Sequence, residues 1–69
     1  MVTVDQILAY CEREIAARHL AADREGLRRI QLALGVLMDA AQSADDRESA
    51  VRFRNLAAKA ANFQEQLEK

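Results

Sequence analysis

An all-α fold is predicted by three features of this 69-residue chain: fourteen residues are Ala, only three are aromatic, and none is Pro. Ala, Leu, Arg and Glu are the residues of long helices, whereas strands draw on β-branched and aromatic side chains. Apolar residues at 3/4 spacing over most of the chain point the same way. The length admits one domain, residues 1–69, and leaves no room for an enclosed active site.

The first helix is expected to start at Val4. Thr3 precedes Gln6 by three positions, the spacing of a capping box in which each side chain serves the other's backbone N–H. Apolar residues then recur at Val4, Ile7, Leu8, Cys11 and Ile15, resume at Ala22, Leu27 and Ile30, and continue through Leu34, Leu37, Met38 and Ala41. At 100° per residue the early stripe and the later one differ in direction by roughly 100°. The buried face therefore either winds around one long helix or belongs to two, with the break in Leu20-Ala21-Ala22-Asp23-Arg24-Glu25-Gly26. That segment has no Pro and no Gly-Asn turn, which favours a continuous helix over about 4–42; the three-helix reading stays open.

The plainest punctuation is Gln42-Ser43-Ala44-Asp45-Asp46, where the periodicity stops and capping residues gather. A second helix follows to about Leu67, with the stripe Phe53, Leu56, Ala57, Ala60, Phe63, Gln64 and Leu67. The expected architecture is an antiparallel helical hairpin with no internal repeat. A helix over 4–42 is ~57 Å long and its partner ~33 Å, so the second cannot cover the first. Val4, Ile7, Leu8, Cys11 and Ile15 are then left without cover in the same chain, and a homodimer sharing one four-helix core, with these five at its centre, is the expected remedy. Gly26 and Gly35 are candidate close crossings.

Ten Lys and Arg against eleven Asp and Glu give a net charge of -1, so no long-range field draws the chain to nucleic acid or an anionic membrane. The apolar run from Leu32 to Met38 is far short of the ~20 residues that span a bilayer and reads as helix core. Met1 to Asp5 lacks the regions of a signal peptide, and a lone Cys makes no internal disulfide, so the cytoplasm is the expected compartment.

No catalytic set stands out, and an enzyme is not expected. Cys11 and His19 lie about 12 Å apart along a helix, too far to ligate one metal. Glu12 with Glu14, and Asp45 with Asp46, lack the apolar pocket that separates the pKa values of an acid and a base. No phosphate-binding Gly-rich loop is present, and no cofactor is implied. Cys11 reads as a small apolar interface residue and His19 as a surface or interface histidine.

Eight of the ten basic residues are Arg. Glu14 with Arg18, Glu25 with Arg29, and Glu48 with Arg52 have the spacing of stabilising i,i+4 pairs. Arg13, Arg24 and Arg28 have no such partner and fall on one side of a continuous first helix. Arg grips carboxylates with a planar fork, so that side is a candidate contact for an acidic protein surface. Tyr10 sits at the rim of the stripe beside Arg13, a composition found at interface hot spots. Tyr10, Arg13, Arg24 and Arg28 are therefore the candidate partner-binding residues.

In size and helical pattern, from the Tyr10 to Arg18 helix to the Ser43-Ala44-Asp45-Asp46 turn, the chain resembles the very small helical proteins that bacteriophages express to disarm their hosts. It is similar in particular to the phage anti-activators of quorum sensing. The resemblance covers length and pattern, with no diagnostic motif, and transfers no functional residue. It implies a bacteriophage dimer in the bacterial cytoplasm that blocks DNA binding by a LuxR-type transcriptional activator and also binds a pilus-assembly ATPase. The expected function is thus a protein-binding inhibitor of a bacterial regulator. Its rivals are a helical-bundle regulator of RNA pairing, supported by the Arg content alone, and a structural subunit of a larger assembly.

Overall fold

Each of the three helices begins on a side-chain cap. In a computed structural model describing residues 1–68, α1 spans Val4–Leu20, α2 Arg24–Ser43 and α3 Arg47–Glu68. Thr3 caps α1 through the expected box: its Oγ1 accepts from the Gln6 N–H at 3.1 Å, and Gln6 Oε1 accepts from the Thr3 N–H at 2.9 Å. Asp23 caps α2 by accepting from the Gly26 N–H at 2.9 Å, and Asp46 opens α3 by accepting from the Ser49 N–H at 3.2 Å. Each carboxylate satisfies a backbone donor that has no partner inside its helix and lies at the positive end of the helix dipole.

The continuous first helix is not observed, and the two-helix hairpin becomes three helices. The chain breaks at Ala21 and Ala22, where Ala22 takes the left-handed conformation with φ 55. The Ala22 N–H donates to the His19 carbonyl at 3.1 Å and the Asp23 N–H to the Arg18 carbonyl at 2.8 Å. These two bonds form a Schellman closure of α1. The roughly 100° offset between the two apolar stripes is the physical reason for the break: one straight helix cannot aim both at one core, whereas two helices folded back can. Tertiary burial and the Asp23 cap together outweigh the helix propensity of the alanines.

The break also removes the length mismatch. Helices of 17, 20 and 22 residues are of comparable length, and they pack into a body of 38 × 21 × 14 Å. The α2 and α3 helices pair antiparallel as the tightest unit, and α1 lies across both with far fewer close approaches. Leu8, Cys11 and Ile15 join Leu27, Leu34, Ala41, Ala50, Phe53 and Ala60 in one buried cluster, with Ile7 packed against it. The cover expected from a second molecule thus comes from α2 and α3, and Val4 alone of the five expected dimer-core residues counts as exposed, at 37%. Ile15, Leu27 and Leu34 are completely buried, each contributing about 1.5–3 kcal/mol of hydrophobic stabilisation.

Two side-chain contacts link α1 to α3, one at each end of α1. Arg52 Nη1 donates to Asp5 Oδ1 at 2.8 Å, joining α3 to the first turn of α1. The His19 ring stacks on Phe63 with centroids 3.7 Å apart, joining the last turn of α1 to the far end of α3. The two glycines differ. A Cβ at Gly26 would lie 2.4 Å from Asp23 Oδ2 and 2.9 Å from Arg18 Cδ, so Gly26 makes room for the cap. A Cβ at Gly35 would meet nothing within 4 Å, so Gly35 marks no crossing inside the chain.

Candidate protein-binding surface

The break at 21–23 decides which charged residues share a face. Arg13 stays on the outer side of α1, while Arg24 and Arg28 move to the α3 side of α2, so the single Arg face expected along one helix is not formed. Arg24 is paired with Glu68 across the α2–α3 seam. Arg28 lies beside it over a shallow cleft bounded by Glu25 and Gln64. Arg13 is exposed and has no ion-pair partner among the described residues.

Tyr10 is 57% exposed at the edge of an open groove between α1 and α2. Its neighbours there are Arg18, Arg29 and Ile30, with Glu14, Asp23 and Glu25 supplying the opposite charge. Arg18 lines the groove, with Nη2 3.2 Å from Glu14 and Nη1 3.2 Å from Asp23, and so links the body of α1 to the cap of α2. The Glu14–Arg18 pair has the expected i,i+4 form. Arg52 turns instead to Asp5, and Arg29 has no ion-pair partner among the described residues. Exposed pairs of this kind stabilise little, so the arginines are available to a partner at small energetic cost.

Two large apolar side chains on α2 lie outside the core expected of them. Leu32 is 61% exposed and Val36 68%, although the run that contains them reads as core; of that run only Leu34 is fully buried. A helix hides roughly one side, and the Leu27, Leu34 and Ala41 line fixes that side, so Leu32 and Val36 point away from the bundle. Seven-residue spacing of the buried leucines was the available signal.

The chemistry of the remaining candidates is quiet. Burial pushes the Cys11 thiol above its ordinary value, and the neighbouring Glu14 carboxylate adds to the rise, so the nucleophilic thiolate is disfavoured. Cys11 lies in the chain's own core, in place of the intermolecular position expected for it. Half-buried His19 is occupied by its stack on Phe63. Among the described residues no three His, Cys, Asp or Glu side chains gather closely enough to hold a metal, and no helix is long and apolar enough to cross a membrane. Comparison with protein-family models, with curated proteins and with solved structures gives no match.

Proposed function

We propose that this chain is a binding module that acts by occupying a surface of another protein, with Tyr10 and Arg13 on the outside of α1 supplying the contact. The observation that carries the reading is Tyr10, a large aromatic held 57% exposed on a bundle whose core is already closed without it. An amphipathic aromatic beside arginines is the composition that anchors protein interfaces, where the ring fills a pocket and the guanidinium holds a carboxylate. Arg24 and Arg28 extend the basic character to the α2–α3 side, outside this contact.

The target class follows from the resemblance to phage anti-activators: a bacterial regulatory protein, in the first instance a LuxR-type transcriptional activator prevented from binding DNA, with a pilus-assembly ATPase as a second target. The test is a DNA-release assay with such an activator, run with the wild-type chain, Tyr10→Ala and Arg13→Ala. Both variants keep wild-type helicity and melting, because neither side chain belongs to the core, and each loses release activity about tenfold or more. Activity unchanged in both variants would refute the assignment of the surface, and absence of release by the wild-type chain would refute the target.

A further inference from the structure

The outward side of α2 carries a second pattern that the monomer does not use. Glu25, Arg29, Leu32, Val36, Asp39 and Ser43 follow a 4-3-4-3-4 spacing, the seam of a heptad repeat, and all six are exposed. Leu27, Leu34 and Ala41, at the opposite heptad position, are in the chain's own core. The seam is therefore a short apolar centre, Leu32 and Val36, flanked by charged and polar residues, on the exposed side of a helix already docked on its other side.

The order of residues along the seam selects its occupant. Leu32 and Val36 lie two positions either side of residue 34, Arg29 and Asp39 five positions, and Glu25 and Ser43 nine. Turned end over end about that level, the seam matches itself: leucine meets valine, arginine meets aspartate, and glutamate meets serine. A parallel pairing in register would instead set Arg29 against Arg29 and Asp39 against Asp39, like charges face to face. Neither Arg29 nor Asp39 has an ion-pair partner among the described residues.

Gly35 supplies a separate argument. It sits inside α2, where Gly is destabilising relative to Ala, yet a Cβ there would touch nothing in the chain. Gly35 and Ala33 flank the level about which the seam is symmetric, and side chains this small let two helices approach closely where they cross.

The geometry points to a second copy of this chain as the occupant, docked antiparallel through α2 about a two-fold axis at the level of Leu34. Its centre is Leu32 against the second copy's Val36, closed at both ends by reciprocal Arg29–Asp39 pairs that set direction and register. The seam contains neither Tyr10 nor Arg13, although its Glu25 and Arg29 also line the groove beside Tyr10. The dimer differs from the four-helix core expected from the sequence, because α1 plays no part in it.

Sedimentation of the full chain from micromolar to submillimolar concentration tests the pairing. The wild-type chain is expected to show a reversible monomer–dimer equilibrium. Leu32→Asp weakens it about tenfold or more while leaving helicity and melting of the monomer unchanged, and Gly35→Leu weakens it while leaving the monomer folded. Arg29→Asp and Asp39→Arg each weaken self-association. A mixture of these two variants associates again, as does the double variant, since either arrangement restores opposite charges across the seam. A wild-type monomer throughout the range, a dimer indifferent to both charge reversals, or no recovery in the mixture would overturn the proposal.

Discussion

Between α1 and α2 the chain turns through Ala21, Ala22 and Asp23; between α2 and α3 it turns through Ala44, Asp45 and Asp46. In each, the middle residue is left-handed, with φ 55 at Ala22 and 60 at Asp45. In each, the Asp N–H returns 2.8 Å to a carbonyl five residues back, Arg18 in one case and Ala41 in the other, and the Asp side chain caps the next helix. The sequence repeats too, as Ala-Ala-Asp-Arg-Glu-Gly at 21–26 and Ala-Asp-Asp-Arg-Glu-Ser at 44–49, a local repeat that leaves no trace in the apolar periodicity and departs from the expected absence of an internal repeat. The turns differ in the left-handed residue and in the residue that meets the cap. Gly26 leaves space for an Asp23 carboxylate shared with Arg18, whereas Ser49 is buried and holds the Asp46 carboxyl below its usual range through its side chain and backbone. One backbone solution thus tolerates two sets of side chains, provided the aspartate stays.

Proline at the left-handed position is the severest test. Ala22→Pro and Asp45→Pro each demand φ near −65° and remove a backbone donor, and each is expected to cost about 3 kcal/mol, seen as a fall in the urea midpoint. Comparable losses at both sites show the turns to be equivalent; a tolerated Ala22→Pro would show that the first is not obligatory.

Removing the caps is the next largest change. Asp23→Ala and Asp46→Ala are each expected to cost about 1 kcal/mol, and in a chain of this size that lowers the melting temperature by roughly 4–8 °C. Gly26 sharpens the contrast. Gly26→Ala gains helix propensity but crowds the Asp23 carboxylate, so it is expected to be close to neutral alone. On the Asp23→Ala background only the flexible Arg18 side chain, released from its pairing with Asp23, has to shift, and the same change stabilises by about 0.5–1 kcal/mol. Equal effects on both backgrounds, measured by urea denaturation, would remove the steric account.

Relieving the left-handed residue has a smaller effect of opposite sign. Ala22→Gly is expected to stabilise by about 0.5–1 kcal/mol and Asp45→Gly by less, because a short polar side chain already tolerates this conformation. The smallest effect is the pH response of the second turn. A carboxyl whose folded pKa is lowered stabilises fully above its unfolded value, and that contribution is lost as pH falls through the folded value. Acidification should therefore loosen the start of α3 only below the ordinary carboxylate range, and Asp46→Asn should abolish this component in urea midpoints collected against pH.

Local chemistry was legible in the sequence; long-range geometry was not. Thr3 with Gln6, and the capping cluster at 43–46, announce helix ends because the partners lie within four residues of one another. The first break is hidden because Ala21 and Ala22 are good helix formers and the deciding quantity is a rotation between stripes many residues apart. The offset of roughly 100° was readable and its consequence was not, since a winding stripe on one helix satisfies the same numbers. Tyr10 lies just off the apolar stripe in the sequence and is exposed in the bundle, as is Arg13, but the separation of Arg13 from Arg24 and Arg28 depends on the break. Arg52 illustrates the same limit: Glu48 is one turn away in sequence, and Asp5 reaches it only through the packing of α1 on α3.

Cys11 carries the only sulfhydryl, on the inner side of the helix with the fewest neighbours. While that helix is docked, the group is screened and protonated; when it lifts away, the group meets water and ionises more readily. Alkylation of the native chain by iodoacetamide, slow beside the docking of a helix, therefore gauges the fraction of molecules in which one arm of the bundle stands away from the other two.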